Sequence, residues 1–191
     1  MIFELKPDYE QVKKRYMAFW EREIVDRPPV CVTLPKAGAR PYRGKTYASL
    51  EDKWLDTDGR IEEMVAGLEN TEFLYDSLPV AWPNLGPEIF SAWCGCPYGF
   101  GKTTAWSRPA ITDWERDFEK TRLDMNHPLF VKLVEFTRKL LERGKGRFIV
   151  GLTDFHPGGD HIAALRGGQT LAVDLLENPD RVKRALARAE G

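Results

Sequence analysis

The sequence predicts an α/β fold, and three observations carry that prediction. Apolar residues recur at helical spacing in three separate segments. Short, almost continuously apolar runs lie between those segments. Pro and Gly punctuate the boundaries. Strands alternating with helices in this way imply βαβ units on a parallel sheet.

Residues 8–25 read as an amphipathic helix, with Val12, Tyr16, Phe19, Trp20 and Ile24 on one face and Lys13, Lys14, Arg15, Glu21 and Arg22 on the other. Asp8 is its expected N-cap, and Arg27-Pro28-Pro29 breaks it. Val30 to Leu34 reads as a buried strand, followed by a Gly-, Pro- and cation-rich loop from Pro35 to Tyr47. Ile61, Met64, Val65 and Leu68 form a second helical stripe. Phe73 to Trp82 carries a second strand, closed by Pro83. Residues 83–114 are irregular and rich in aromatics. A third helix spans about Pro128 to Arg143, with Pro at its first turn and cations at its end, as the helix dipole prefers. Phe148 to Leu152 is a third strand whose unbroken apolar character implies cover on both faces. Two short helices follow, split at Pro179.

A chain of 191 residues, 42% hydrophobic and 30% charged, is long enough for one domain with a substantial core. The net charge of -1 gives no reason to expect a nucleic-acid or anionic-membrane partner. No apolar run approaches the ~20 residues of a membrane helix. The N-terminal MIFELKPDYEQ lacks the order of a secretory signal. Cys31, Cys94 and Cys96 are odd in number, and two of them sit too close for a comfortable bridge. Both facts point to a reducing, cytoplasmic compartment.

The loop Thr153 to His161 holds the densest chemistry. Asp154 and Asp160 offer carboxylates for a metal, a polar substrate or a base, while His156 and His161 titrate near neutral pH. Asp160 is also a natural cap for a helix from His161 to Leu165. Asp76 is a lone acid among apolar residues, so it must find donors, be held neutral, or cap a turn. Lys36 and Arg40, in the loop after the first strand, hold an anion or are solvated charges. Trp82, Trp93, Tyr98, Phe100 and Trp106 floor a pocket for a flat ligand or pin a long loop. Cys94-Gly95-Cys96 is half of a soft-metal site at most, and reads better as two small buried residues. Gly99 to Thr104 imitates the end of a P-loop, but Cys96 stands where that motif needs Gly.

Asp174-Leu-Leu-Glu-Asn178-Pro179-Asp-Arg-Val182, preceded by the strand, loop and helix from Arg147, resembles the uroporphyrinogen-decarboxylase-like superfamily. That superfamily also contains cobalamin-dependent methyltransferases. The Pro83 to Pro87 run with Thr104-x-Trp106 matches uncharacterised members. The resemblance implies a (β/α)8 TIM-like barrel of which residues 1–191 form a single-domain, incomplete N-terminal portion, since family members run on for as long again. It implies a decarboxylase or a corrinoid-linked methyltransferase acting on a small or tetrapyrrole-like substrate, with zinc and a corrinoid protein in the second case. Asp76 matches the carboxylate that holds pyrrole nitrogens, with His156 and His161 as further catalytic candidates. Lys36, Arg40, Asp154, Arg166, Trp82 and Tyr98 are the substrate-binding candidates. The decarboxylase motif Arg-Gln-Ala-Gly-Arg-Tyr is kept here only as Ala37-Gly38, with Pro35 at the first arginine and Arg40 displaced by one position. This departure speaks against uroporphyrinogen itself as substrate. The alternative expectation is a fragment without activity of its own that assembles as a homo-oligomer through open sheet edges.

Overall fold

A computed structural model describes residues 3–190. The elements in chain order are α1 (Tyr9–Trp20), β1 (Cys31–Pro35), α2 (Leu50–Leu55), α3 (Thr57–Glu69), β2 (Thr71–Tyr75), β3 (Val80–Ala81), α4 (Ile89–Trp93), β4 (Tyr98–Phe100), β5 (Ala105–Ser107), α5 (Trp114–Asp117), α6 (Pro128–Gly144), β6 (Ile149–Val150), α7 (Gly159–Arg166), α8 (Gly168–Glu177) and α9 (Pro179–Glu190). The chain divides into two compact units. The first takes Met1–Thr46, Asp56–Pro83 and Phe136–Leu152; the second takes Tyr47–Leu55, Asn84–Glu135 and Thr153–Gly191.

The barrel expectation is overturned. Helices make up about 48% of the chain, and its strands form three separate two-stranded sheets with no barrel closed. Only β3 and β6 run parallel, over two residues each, whereas β1 and β2 are antiparallel, with Cys31 opposite Tyr75 and Pro35 opposite Thr71. The local reasons are visible. Lys6 donates its ammonium to the carbonyls of Phe73 (3.0 Å) and Tyr75 (2.6 Å), and so occupies one edge of β2. Tyr75 has φ 53, a left-handed conformation that ends the strand and splits the expected 73–82 run into β2 and β3. The runs read as buried strands are not covered on both faces: four of the five β1 residues are exposed, and Leu152 beyond β6 is 88% exposed.

The helical expectations fare better. α3 buries Ile61 and Val65, and α6 follows the expected span almost to the residue. α1 stops at Trp20, short of residue 25, where Arg22 turns to φ 62. Asp8 stands at its N-cap without a side-chain cap bond and pairs instead with Lys6 at 3.1 Å. After β6 come three helices rather than two. Gly158 is the N-cap of α7, so Asp160 lies inside the first turn rather than capping it.

Unit one buries Val12, Ile61, Val65, Phe136, Leu140 and Phe148. Unit two packs Cys94, Cys96, Ile111, Trp114, Ile162, Leu165, Val182 and Ala185 together. Its hairpin β4–β5 needs glycine at 86, where φ is 108 and a Cβ would come within 2.2 Å of the Tyr98 hydroxyl. Trp54 stacks on Phe100 and donates its indole N–H to the Gly101 carbonyl at 2.8 Å.

The Asp174 to Asn178 signature has a structural meaning. Asp174 is buried and accepts from Arg166 Nε (2.6 Å), Trp114 Nε1 (2.9 Å) and Asn178 Nδ2 (3.1 Å), which joins α5, α7 and the α8–α9 turn. Arg166 also donates to the Ile111 and Thr112 carbonyls and lies over the Trp114 ring. Replacing Asp174 by Ala leaves a nearly buried guanidinium unbalanced and an indole N–H without its acceptor. The expected loss is about 3 kcal/mol of unfolding free energy in urea titration. Arg181→Ala, which removes an exposed pair with Glu115, changes it by about 0.5 kcal/mol or less. Equal effects would contradict this account.

Candidate functional site

The second unit contains a cavity of about 350 Å³ between α4, α7, α9 and the segment 119–123, lined by Phe90, Cys94, Glu119, Thr121, Arg122, Leu123, His161, Ile162, Leu165, Ala185, Arg188 and Ala189. That volume lies at the lower end of small-molecule sites, and the apolar wall with few polar groups is the usual composition of one. Amphipathic spacing places the wall: Ala185 and Ala189 recur along one face of α9, and Ile162 and Leu165 along one face of α7.

His161 faces inward, 5% exposed, and its Nδ1 lies 3.0 Å from the Ser91 hydroxyl on α4. The Phe90 ring meets the imidazole edge-on at 4.8 Å. Burial pushes the His161 pKa down to about 4, and the Arg188 charge adds to the effect, so the ring is neutral at physiological pH. Burial also pushes the Cys94 thiol up to about 11, leaving it protonated.

Charge at the rim is unequal. Arg188 donates through Nη2 to the carbonyls of Phe118 (2.7 Å) and Thr121 (2.9 Å) and to the Thr121 hydroxyl (2.7 Å), and lies over the Phe118 ring at 3.5 Å. Its Nη1 is 3.7 Å from Glu119, the same carboxylate that takes Arg122 at 3.0 Å. Two guanidinium groups thus share one carboxylate, a local excess of one positive charge beside an apolar wall.

The residues nominated from sequence are dispersed. Asp76 belongs to unit one and is fully buried. Its Oδ1 accepts from Arg15 (3.0 Å), and its Oδ2 accepts from Arg27 and from the Val30 N–H (2.9 Å). Burial alone would raise its pKa, but the bonds from Arg27, Val30 and Arg15 hold it below the usual carboxylate range. Three of its roughly four acceptor positions are filled by the protein itself. Lys36 and Arg40 are exposed in the same unit; Arg40 lines a shallow groove with Leu34, Tyr42 and Asn70, and Lys36 lies outside that lining. Trp82 is 36% exposed.

In unit two, Arg166 is engaged with Asp174, and Tyr98 donates to the Leu85 carbonyl at 2.9 Å. Both serve the scaffold. The 153–161 loop divides: His161 turns inward, whereas Asp154, His156 and Asp160 form a surface chain. His156 Nε2 lies 2.9 Å from Asp154 and its Nδ1 3.6 Å from Asp160. Phe155 anchors this loop edge-on to Trp93. Among the nominated residues only His161 lines the cavity. Ser91, Glu119, Arg122 and Arg188 carried no motif; the available signal was Arg188 bordering the Val182, Ala185, Ala189 stripe.

The donors do not fit a zinc site. Among the described residues no group of three or more His, Cys, Asp or Glu side chains converges on a point that could hold a metal. The Asp154 and Asp160 carboxylates approach opposite nitrogens of the His156 ring rather than one point, and Cys94 and Cys96 lie in the apolar core cluster of the second unit. Among the described residues no helix is long and apolar enough to cross a membrane.

Neutral His161 sets a pH dependence. Between its ordinary 6.5 and about 4, the unfolded chain takes up a proton that the folded chain refuses, so stability falls as pH drops through that window. The expected loss is up to about 3 kcal/mol, with none of it above pH ~7. Losses from Asp76 and Asp174, whose pKa values are held low, begin only below about pH 4. His161→Gln should flatten the slope between pH 6.5 and 4 in urea titrations; an unchanged slope contradicts the assignment.

In comparison with known proteins, no family model, curated protein or solved structure matches this chain. Its function is therefore read from the chemistry of these residues.

Proposed function

We propose that the protein binds a compact, mainly apolar molecule bearing a carboxylate in the His161 cavity, as a decarboxylase-like enzyme of small acids. The observation that carries this reading is the uneven charge at the rim, where Arg122 and Arg188 share the single carboxylate of Glu119. A second carboxylate, brought by the ligand, balances the pair and receives charge-assisted hydrogen bonds from donors that Arg188 does not use internally. The apolar wall of Phe90, Ile162, Leu165 and Ala185 takes the rest of the molecule. Neutral His161 and protonated Cys94 add no charge to compete with the ligand.

Decarboxylation is the reaction class that suits such a setting. Loss of CO2 breaks the bond between the carboxylate carbon and Cα and leaves its electron pair on the substrate. The substrate must therefore carry its own electron sink, as a β-keto acid does, and the carbon takes a proton from water in place of CO2. The sequence resemblance to decarboxylases supports the same class.

Calorimetric titration with octanoate and 4-phenylbutyrate, against the matching primary alcohols, tests the reading. The acids should bind and the alcohols should bind at least about tenfold more weakly, as expected for loss of a charged hydrogen bond. Arg188→Gln should abolish the preference, while Arg188→Lys retains part of it. Equal affinity for acids and alcohols, or binding indifferent to position 188, contradicts the proposal. Release of labelled CO2 from a bound β-keto acid reads the reaction itself.

A further inference from the structure

The outward face of α1 is exposed around Met17 and Trp20. Its inner side is fixed by fully buried Val12, while Met17 on the opposite side is 53% exposed and Trp20 is 78% exposed. A shallow hollow of about 340 Å³ runs along this outer face between Glu10, Lys13, Lys14, Met17, Ala18 and Glu21. Lys13, Lys14 and Glu21 make no ion pair among the described residues.

The arrangement around Met17 is self-complementary. A helix turns about 100° per residue, so Lys14, three residues before Met17, and Glu21, four after it, fall on one flank. Lys13, four before, and Trp20, three after, fall on the other. We propose that this face pairs with the same face of a second copy of the chain, antiparallel, about a two-fold axis beside Met17. In that register Met17 meets its own counterpart, and Lys14 faces Glu21 of the second copy. Lys13 faces the Trp20 indole. Symmetry repeats each contact, which gives two ion pairs and two cation–π contacts around an apolar centre.

A parallel pairing would instead set Lys14 of one copy against Lys13 of the other, like charge against like. The mixed signs along the face disfavour an anionic surface as its occupant, since Glu10 and Glu21 lie among the lysines. This interface differs from pairing through open sheet edges, because it uses side chains of one helix. One helix pair is small beside a standard interface, so the dimer is weak, with a dissociation constant of about micromolar or above.

Sedimentation equilibrium of the whole chain over roughly 1 to 300 μM tests the proposal across that affinity range. The wild type should pass from 21.9 kDa to twice that mass. Lys14→Glu places like charges opposite each other twice and should weaken the dimer about tenfold or more. Glu21→Lys should do the same, and the double variant Lys14→Glu/Glu21→Lys should restore wild-type association. Met17→Glu should give a monomer at every concentration. All these positions are exposed, and circular dichroism confirms that each variant keeps its helices. A wild type that stays monomeric, a dimer indifferent to Met17→Glu, or a double variant no better than the singles overturns the proposal.

Discussion

A carboxylate without water must be given donors by the chain, and each unit of this protein is tied together by one such group. Asp76 in the first unit has no solvent exposure, so α1 must supply Arg15, the 26–30 turn must supply Arg27, and Val30 must turn its N–H inward. Arg15 then extends the set outward by a two-bond pair with Asp26, whose pKa it holds down to about 2. Tyr75 beside it accepts a left-handed φ because its neighbours on both sides are fixed, its own carbonyl by Lys6 and the next carboxylate by three donors. Asp174 plays the corresponding part in the second unit, gathering Arg166, Trp114 and Asn178. Removing Asp174 would leave the nearly buried Arg166 guanidinium without its partner, which costs more than losing the pair's attraction, whereas Arg15 without Asp76 keeps Asp26.

Helical periodicity made much of the fold legible. α3 and α6 were readable from their stripes, and the break at Pro179 from the inability of proline to continue the preceding hydrogen bonds. The sheets were not legible. The apolar runs at 30–34, 73–82 and 148–152 have strand composition, but composition does not fix how many residues pair or in which direction. Lys6 on the edge of β2 and the turn at Tyr75 decide that, and both are tertiary facts. The hairpin β4–β5 was hidden because Gly101-Lys102-Thr103-Thr104 imitates a phosphate loop, while its real work is a tight reversal packed against Trp106.

Of the residues nominated from sequence, His161 lines the cavity, and it does so from the first turn of α7 rather than from a loop. Asp76 and Arg166 have the residue types of substrate-binding groups, yet their partners lie far away in sequence and satisfy them internally. Sequence displays charge and hides whether a charge is already balanced. Arg188, the group that leaves the cavity positive, sits near the end of an ordinary amphipathic helix and announces nothing until Glu119 and Phe118 are seen beside it.

What remains is a division of labour between two histidines of one short loop: His161 inward and neutral, His156 outward between two acids. The chain has three histidines, so their ring nitrogens can be followed individually by long-range nitrogen–proton NMR. The most direct measurement is that spectrum with and without a saturating apolar carboxylate. The account predicts that the His161 ring signals move while those of His156 and His127 stay in place. Movement of His156 with His161 unchanged would put the ligand on the surface loop and contradict the cavity as the functional site.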